Sequence, residues 1–261
     1  MYATHWFENK ILSVFNNVDA TGIEECFVAL FFTSPTNTGL AGVEVNYPGY
    51  TRLPITWTNP SPESGGIGIR NIEDLLWPFP PNDVGQVNHV GIVDREIGGN
   101  VILYADLASP LNILASSDKQ PSIPQRDLLY YIIGDYTVSF MTKIMNVIRD
   151  QTLQGFNPHL ALFDGDPDKD GLELSGNNYS RPEMTFRTPE IQQDGRTQTA
   201  NSNIIRFPVS AGPWGRWEYT GVCDAITDGN VITKVPYIAP QDIQINFALQ
   251  VSANGYRISL D

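Results

Sequence analysis

The sequence contains one stretch twice, and this repetition constrains the fold more than any other feature. Residues 77–113 align without a gap to residues 207–243, at a constant offset of 130. Ten of the 37 aligned pairs are identical, whereas average residue usage would give roughly two. The identical pairs are Pro78 and Pro208, Gly85 and Gly215, Gly91 and Gly221, Asp94 and Asp224, Gly99 and Gly229, Asn100 and Asn230, Val101 and Val231, Ile102 and Ile232, Pro110 and Pro240, and Ile113 and Ile243. The chain is therefore a tandem duplication.

The duplication sets the domain organisation that we expect. A chain of 261 residues can form one large domain or two smaller ones, and the repeat favours two. We place the boundary near Thr137, so that residues 1–137 form the first repeat and residues 138–261 the second. Each repeat is long enough to bury a core of its own. Because almost no linker separates the repeats, we expect them to be held in a fixed relation.

The composition indicates strands rather than long helices. The chain is 41% hydrophobic and only 17% charged, as in folded proteins, and its 22 glycines and 19 prolines indicate many turns. The sequence therefore predicts a mainly β protein with two tandem antiparallel β-sandwich-like domains.

Each of these domains is preceded by a short amphipathic helix in our interpretation. Apolar residues at positions i, i+4, i+7 and i+8 lie on one face of an α-helix, and both repeats begin with this spacing. The matching residues are Phe7, Ile11, Val14 and Phe15 in the first repeat and Phe140, Ile144, Val147 and Ile148 in the second. We expect each helix to pack on a sheet.

Other repeated segments have the patterns of β-strands. Short apolar runs closed by proline and glycine are typical of buried strands, and apolar–polar alternation is typical of strands buried on one face. The predicted strand pairs are 27–32 with 160–163, 50–57 with 179–186, 86–93 with 216–223, and 136–140 with 256–260. Asp94 and Asp224 precede Gly-Asn, which favours a hairpin closed by an Asx turn.

The two repeats differ mainly in three polar segments. Residues 58–66 are rich in proline, residues 115–122 belong to an insertion in the first repeat, and residues 192–199 are polar. Divergent loops on a shared scaffold are where different partners are usually met. We therefore interpret these segments as partner-binding loops.

Charge and hydropathy exclude several classes of partner. A formal net charge of −13 argues against binding a phosphate backbone, so we expect no nucleic-acid partner. No apolar run approaches the roughly 18 residues of a membrane-spanning helix, and residues 1–6 lack the pattern of a signal peptide. We expect no membrane insertion and synthesis in a cytoplasm. Cys26 and Cys223 are not at equivalent positions, and we predict that both are small buried hydrophobic residues.

The order of these features resembles that of the small phage tail fibre proteins. The resemblance depends on the N-terminal helix, the strand at 28–33 that runs into Ser34-Pro35, the Tyr-x-Arg segment at 50–57, and the Gly-(Ile/Val)-x-Asp segment followed by Gly-Asn. Both repeats carry these features, and the final Leu260-Asp261 matches as well. The resemblance implies a fusion of two copies of a domain that the family typically has once.

The resemblance also implies a function. A member of this family is a non-enzymatic structural component of a bacteriophage virion, either a tail fibre or a tail-tip protein that attaches fibres. Its partners would be itself and other phage tail proteins, and its place would be the virion tail after assembly in the host cytoplasm. Two alternatives stay open, a tail module that binds a host-surface glycan as receptor and a head-decoration protein.

No residue pattern indicates catalysis. Acid–base and nucleophilic catalysis need side chains that converge, usually around a histidine of tuned pKa. His5, His89 and His159 belong to no constellation that the repeats share, and the sequence lacks phosphate-loop, zinc-ligand and dinucleotide-binding motifs. We expect no enzyme and no cofactor, and we assign no catalytic, cofactor-binding or metal-binding residues.

One acidic loop raises the question of calcium. Asp166, Asp168, Asp170 and Gly171 match the opening of a calcium-binding loop, in which hard oxygen ligands converge around a sharp turn. The twelfth position, however, is Asn177 instead of a bidentate glutamate. The corresponding loop of the first repeat, residues 34–39, carries no carboxylate. We interpret the segment as a solvated acidic loop and keep calcium binding as the alternative.

A cluster of aromatic residues raises the question of glycan binding. The residues that could stack on sugar rings are Trp214, Trp217, Tyr219, Tyr47 and Tyr50. Trp217 shares a strand face with Cys223, which indicates that it belongs to the core. Trp214, which aligns with Val84, is predicted to be the more exposed tryptophan.

Overall fold

Both predicted helices form in a computed structural model, which describes residues 1–115 and 119–260. Helix α1 spans His5–Leu12 and continues as a 3₁₀ turn over Ser13–Asn16, and helix α2 spans Val138–Val147. All eight residues of the two predicted apolar stripes are at most 2% exposed. No helix in the described part of the chain has the length and hydropathy needed to cross a membrane.

Strands make up 39% of the structure and helices 9%, so the predicted mainly β class is confirmed. The strands of the first repeat are β1 Tyr2–Ala3, β2 Phe27–Thr33, β3 Val43–Glu44, β4 Leu53–Pro54, β5 Ser61–Glu63, β6 Gly66–Arg70, β7 Leu75–Leu76, β8 Gly85–Val93, β9 Val101–Ile113, β10 Ser122–Ile123 and β11 Leu129–Ile132. Those of the second repeat are β12 His159–Phe163, β13 Glu190–Ile191, β14 Thr197–Ala200, β15 Ile205–Arg206, β16 Gly215–Cys223, β17 Val235–Ile243, β18 Gln250–Val251 and β19 Arg257–Leu260.

The two repeats use the same strand pairings, all of them antiparallel. The first sheet has the order β1-β9-β8-β2-β3, with β4 beside β2, and its counterpart has the order β12-β16-β17. A second, smaller sheet has the order β11-β6-β5 in the first repeat and β13-β14-β19 in the second. The pairs β7 with β10 and β15 with β18 also correspond. The pattern of antiparallel sheets therefore occurs twice, as the sequence predicted.

Several predicted strands and loops need correction. Residues 136–140 form no strand, because the side chain of Thr137 accepts a hydrogen bond from the backbone N–H of Phe140 and starts α2. The strand that matches β19 is β11 instead. The segment at 50–57 forms the short strand β4 and an isolated bridge from Trp57 to Asn71, and 179–186 has isolated bridges without a named strand.

The predicted partner-binding loops are largely structured. The segment at 58–66 forms β5 and its turn into β6, and the segment at 192–199 forms the turn between β13 and β14. Gly195 in that turn accepts hydrogen bonds from His5 Nε2 at 2.8 Å and from Asn37 Nδ2 at 3.4 Å. This segment therefore contacts the first repeat. In the insertion at 115–122, residues 116–118 lie outside the described residues.

A single hydrophobic cluster runs through both repeats, contrary to the expectation of separate cores. It contains Phe7, Phe15 and Trp77 from the first repeat together with Phe140 and Leu260 from the second. Smaller clusters cover the other faces of β2 and β12. The hydrophobic cluster continues across the predicted domain boundary at 137/138. The division of the chain into two domains stays a prediction.

The helices join the repeats because each lies against the smaller sheet of the other. Helix α1 packs on β14 and β19, and α2 packs on β6. Phe15, directly after α1, contacts three rings of the second repeat at centroid distances of 5.9, 5.2 and 5.4 Å, those of Phe140, Phe156 and Phe186. The apolar stripe of each helix is therefore buried between the two repeats.

We predict that truncating Phe15 to alanine destabilises both repeats together. Removing a buried phenylalanine ring typically costs about 3–5 kcal/mol. Because the ring is shared, calorimetry should show one unfolding transition that moves to lower temperature as a whole. Val18→Ala, at a position that is 53% exposed, is the control and should change stability by less than about 0.5 kcal/mol. Two transitions, of which only one moves, would contradict a shared core.

Candidate functional site

The hairpins β8–β9 and β16–β17 each contain a turn, and the two turns have the same hydrogen bonds. Asp94 Oδ1 accepts from the backbone N–H of Asn100 at 2.6 Å, and Asp94 Oδ2 accepts from Asn100 Nδ2 at 2.9 Å. Asp224 and Asn230 make both bonds at 2.7 Å. Gly99 has a φ of +78°, and a Cβ there would lie 2.2 Å from Asp94 Oδ1. The repeated Asp and Gly-Asn thus fix the backbone of a turn, as predicted from their types.

A largely buried arginine fastens the first of these turns to the body of the protein. Arg52 donates from Nε and Nη2 to the two carboxylate oxygens of Glu44, at 2.9 and 2.7 Å. Its Nη1 donates to the backbone carbonyl oxygens of Arg95 at 2.8 Å and Gly98 at 2.5 Å, both within the turn. We call this arrangement, Glu44 with Arg52 and the two turn carbonyls, the first arginine clamp.

The second repeat contains the same clamp. Arg181 donates to Glu173 from Nε at 2.7 Å and from Nη2 at 2.5 Å. Its Nη1 donates to the carbonyl oxygens of Ala225 and Asp228, both at 2.7 Å. Side-chain exposure is only 8% for Arg181 and 13% for Arg52. Hydrogen bonds to the glutamates raise the pKa of both arginines, so both guanidinium groups stay charged.

A tyrosine joins each clamp to a buried strand of its sheet, β2 in the first repeat and β12 in the second. Tyr50 Oη accepts from the backbone N–H of Leu30 at 2.9 Å and donates to Glu44 at 3.4 Å. Tyr179 makes the same two bonds, to Leu162 at 3.0 Å and to Glu173 at 3.1 Å. Burial raises the pKa of both phenols, which keeps them neutral. The Tyr-x-Arg motif is thus part of a hydrogen-bond network that sets the position of the turn.

The clamped turns present exposed apolar side chains. Ile97 is 87% exposed in the first turn, and Ile226 is 60% exposed in the second. A groove lined by residues that include Tyr50, Arg52 and Ile97 lies beside the first turn. A rigid backbone that carries an exposed isoleucine is suited to contact another protein, because the backbone loses little conformational entropy when the contact forms. These two turns form the candidate functional site.

The hairpins carry a second exposed feature farther along. Pairing is interrupted between Val87 and His89, and residues 107–110 of β9 bulge out of the ladder opposite Asn88. The same interruption occurs in β16, where residues 237–240 bulge out. Ile238 in the second bulge is 99% exposed. Each repeat therefore presents two irregular, exposed segments on one rigid hairpin.

Sequence reasoning missed the clamps, although a signal existed. The Tyr-x-Arg segment was interpreted as a strand only, and its acidic partner was not noticed. Glu44 and Glu173 are separated by the same offset as Arg52 and Arg181. A charged pair that recurs with equal spacing in two diverged repeats indicates a shared ion pair.

The acidic loop is an ion-paired structure rather than a solvated one. Lys234 Nζ lies 3.1 Å from Asp166 Oδ1 and 2.8 Å from Asp168 Oδ2, and both carboxylates are largely buried. Asp168 also accepts from the backbone N–H of Val138 at the start of α2. Asn177, at the twelfth position, donates instead to the carbonyl of Pro213 at 2.6 Å. An ammonium group thus pairs with the two carboxylates that a calcium ion would need.

No metal cluster is formed within the described ranges. Among residues 1–115 and 119–260, no group of three or more His, Cys, Asp or Glu side chains is arranged to hold a metal ion.

The aromatic residues do not form an open platform. Trp214, predicted to be exposed, is 4% exposed, donates from Nε1 to the carbonyl of Asn177 at 3.0 Å, and packs edge-on against Tyr179 at 5.2 Å. The prediction that Trp214 is exposed was wrong, because alignment with a valine does not show how deeply a side chain is buried. Trp217 is 6% exposed and stacks on Tyr237 at 3.7 Å, which confirms its place in the core.

The remaining candidates of the sugar platform are also engaged. Tyr47 is 7% exposed and donates to the carbonyl of Pro78 at 2.8 Å, and Tyr50 is hydrogen-bonded to Glu44 of the first clamp. Tyr219 is half-buried beside Phe163.

The histidines and cysteines lie in unrelated surroundings. His5 contacts Gly195, His89 pairs with Asp106 at 2.7 Å, and His159 contacts the carbonyl of Asn157 at 2.9 Å. Cys26 and Cys223 are buried and unbonded to each other, as predicted. Burial raises the pKa of both thiols to about 12, so neither is a reactive thiolate.

Comparison with protein families locates a match to each repeat. A family model described as Podophage GP4 fiber I protein gp80 matches residues 2–128 and, separately, residues 137–259. The two matches together cover nearly the whole chain, and they confirm both the resemblance and the duplication. No curated protein shows significant similarity to the sequence.

We predict that each clamp arginine is needed for stability to a similar extent. Arg52→Met and Arg181→Met each leave a largely buried glutamate without its cation, a change that costs about 3–5 kcal/mol. Arg216→Met removes an exposed pair with Glu218 and should cost less than about 1 kcal/mol. Urea unfolding monitored by circular dichroism measures all three. A loss below that of the control for either clamp variant would show that its clamp is dispensable.

We predict that Asp166 contributes stability at neutral pH that is lost in acid. Burial raises its pKa, but the Asp168 N–H and the Lys234 ammonium outweigh burial and leave the pKa below its usual value. The stabilisation is present above the unfolded value of about 3.9 and disappears as the pH falls through the depressed folded value.

Urea unfolding between pH 7 and pH 2 tests this prediction. Asp166→Asn should be less stable than the unmodified chain at pH 7, and the difference should vanish at the acid end. Asp170→Asn, in the exposed part of the loop, serves as control and should follow the unmodified chain throughout. A difference that is constant with pH would contradict the assignment.

Proposed function

Because the chain belongs to the family of the podophage GP4 fiber I protein gp80, with one family segment in each repeat, we propose that it is a structural subunit of a podophage tail. Its role in this proposal is to attach tail fibres, and it carries out no reaction. Its partners are copies of itself and other tail proteins. Its place is the virion tail, reached after assembly in the host cytoplasm.

The observation that supports the attachment role most directly is the pair of clamped turns. The two clamps preserve the same hydrogen bonds and therefore the same backbone, while the exposed residues differ between them. Ile97 and its neighbours Arg95 and Glu96 stand in one turn, and Ile226 with Thr227 in the other. Two similar but non-identical surfaces suit contacts with two quasi-equivalent sites, such as a tail subunit and the root of a fibre.

The charge of the chain is consistent with specific rather than general association. A net charge of −13 keeps copies apart in solution. Contacts then depend on apolar patches of complementary shape, of which exposed isoleucines on rigid turns are a part.

We predict that replacing the exposed isoleucines blocks incorporation into particles. Ile97→Asp and Ile226→Asp place a charge where an apolar contact forms, and neither side chain is needed for folding. Phage carrying either variant should assemble with at least tenfold less of this protein, measured by quantitative mass spectrometry of purified particles. Leu40→Asp, at a position that is 89% exposed on a different loop, is the matched control and should be incorporated normally.

The position of the protein in the particle decides between the proposal and its rivals. Electron cryo-microscopy of particles with a labelled chain should place the label where fibres join the tail. A label on the capsid would replace the proposal with head decoration. A label at the distal fibre tip, together with inhibition of adsorption by the purified protein, would replace it with receptor binding.

A further inference from the structure

The strongest unassigned feature is the symmetry of the contact between the two repeats. The segment that follows α1 aligns with the segment that follows α2, by the same shift in residue number that aligns Phe7 with Phe140. With this shift, Leu153 is the equivalent of Ala20. These two residues pair with each other. The N–H of Ala20 donates to the carbonyl of Leu153 at 2.9 Å, and the N–H of Leu153 donates to the carbonyl of Ala20 at 2.9 Å. A position that pairs with its own equivalent lies on a two-fold axis.

The contacts around this pair are reciprocal as well. The N–H of Ile23 donates to the carbonyl of Val147 at 2.8 Å, and the N–H of Phe156 donates to the carbonyl of Val14 at 3.1 Å. Phe156 is the equivalent of Ile23, and Val147 is the equivalent of Val14. Exchanging the two repeats therefore converts one of these hydrogen bonds into the other.

A close approach between the backbones of the two repeats also occurs twice. A Cβ on Gly22 would lie 2.4 Å from the carbonyl carbon of Asp150, and a Cβ on Gly155 would lie 2.4 Å from that of Asn17. Asn17 and Asp150 are equivalent and both have a left-handed backbone, with φ of +58° and +63°. Gly22 and Gly155 are equivalent too. Only glycine permits this approach, and both repeats have retained it.

Side chains complete the reciprocity at the same place. The N–H of Gly155 donates to Asp19 Oδ1 at 2.8 Å, and the N–H of Gly22 donates to Thr152 Oγ1 at 3.4 Å. Asp19 and Thr152 are equivalent positions that differ in type and perform the same task. The same hydrogen bond therefore occurs in both repeats although the residue that accepts it differs.

The packing of the helices follows the same rule on a larger scale. Helix α1 lies on β14 of the second repeat, and α2 lies on β6, the equivalent strand of the first. An interface in which residue i contacts j while j contacts i is isologous, the type that joins identical subunits by a two-fold axis. A contact between two unlike domains has no reason to be reciprocal.

We propose that the surface between the repeats is a homodimer interface, which fits a second copy of the repeat, and that this chain is such a dimer with its subunits joined. In this arrangement the exposed connecting residues 133–135 are a tether. In trans, the partner of each repeat is the complementary repeat of a second copy of this chain. This inference concerns the interface inside the molecule and does not depend on the proposed role in the tail.

Cleavage of the folded full-length chain tests the proposal. Residues 133–135 are exposed, and Gly134 has no atom within 4 Å of a Cβ position, so a protease recognition sequence can be inserted after Gly134. After cleavage, the two fragments should elute together at the mass of the intact 29.0 kDa chain. Two differently labelled cleaved preparations, mixed in urea and refolded, should exchange fragments between labels. Fragments that elute apart, each with its circular dichroism retained, would overturn the proposal.

Matched substitutions test the two-fold relation itself. In the cleaved protein, Gly22→Ala and Gly155→Ala should each raise the dissociation constant between fragments at least tenfold, and to a similar extent. Gly91→Ala is the control, because the atoms nearest to its Cβ would be those of Phe31 and Val101 in its own repeat, and it should leave that constant unchanged.

A milder pair keeps the test decisive if the alanine variants fail to fold. Asp19→Ala and Thr152→Ala remove the reciprocal hydrogen bonds without adding atoms. Both should weaken association of the fragments, Asp19→Ala more strongly, because its carboxylate accepts at 2.8 Å whereas the Thr152 hydroxyl accepts at 3.4 Å. An effect of one member only, in either pair, would show an interface without two-fold symmetry and overturn the proposal.

Discussion

The burial of two helices between two sheets is the interaction on which the rest of the structure depends. Neither of the smaller sheets is covered by a helix of its own repeat, and an amphipathic helix has to bury its apolar stripe against another element. The exchange of helices meets both needs at once. It requires the backbones that follow the helices to come into direct contact, which explains why Gly22 and Gly155 stand where they do.

The arginine clamps act at the turn end of each hairpin, where Arg52 and Glu96 line one groove with Ile148 and Asp150 of the other repeat. A largely buried Arg–Glu pair contributes to stability only when its remaining donors are also bonded, and the turn carbonyls satisfy them here. The consequence is a turn whose shape depends on hydrogen-bonded residues such as Asp94, Asn100 and Arg52 rather than on its exposed apolar side chains. Exposed positions such as Ile97 and Ile226 are therefore open to change, which suits two surfaces that meet different partners.

Much of the fold could be predicted because it depends on local periodicity. The stripes of α1 and α2, the buried strand β2 and the Asp and Gly-Asn turns all follow from the types of neighbouring residues. Periodicity gives the face that is buried but not the element that covers it. Since both repeats carry the same stripe, the pattern does not say which smaller sheet each helix covers, and the sequence could not decide that Phe15 would pack on Phe186.

The candidate site was less accessible to sequence analysis, because its parts are distant in the chain. Arg52 and the carbonyl of Gly98 are 46 positions apart, and Lys234 is 68 positions from Asp166. Charges such as those of Asp166 and Asp168 look solvated when only their neighbours are known. Trp214 was misjudged for the same reason, since its hydrogen-bond partner Asn177 lies on another loop.

The short connection between β11 and α2 gives the molecule a mechanical property. Ile132 ends the strand and Val138 begins the helix, so that five residues lead from one repeat into the next. A tensile force that pulls the repeats apart can extend the short connection only slightly. The force therefore acts directly on the helices, each of which packs against the other repeat. Separation of the repeats then requires the apolar packing of both helices to break in a single step.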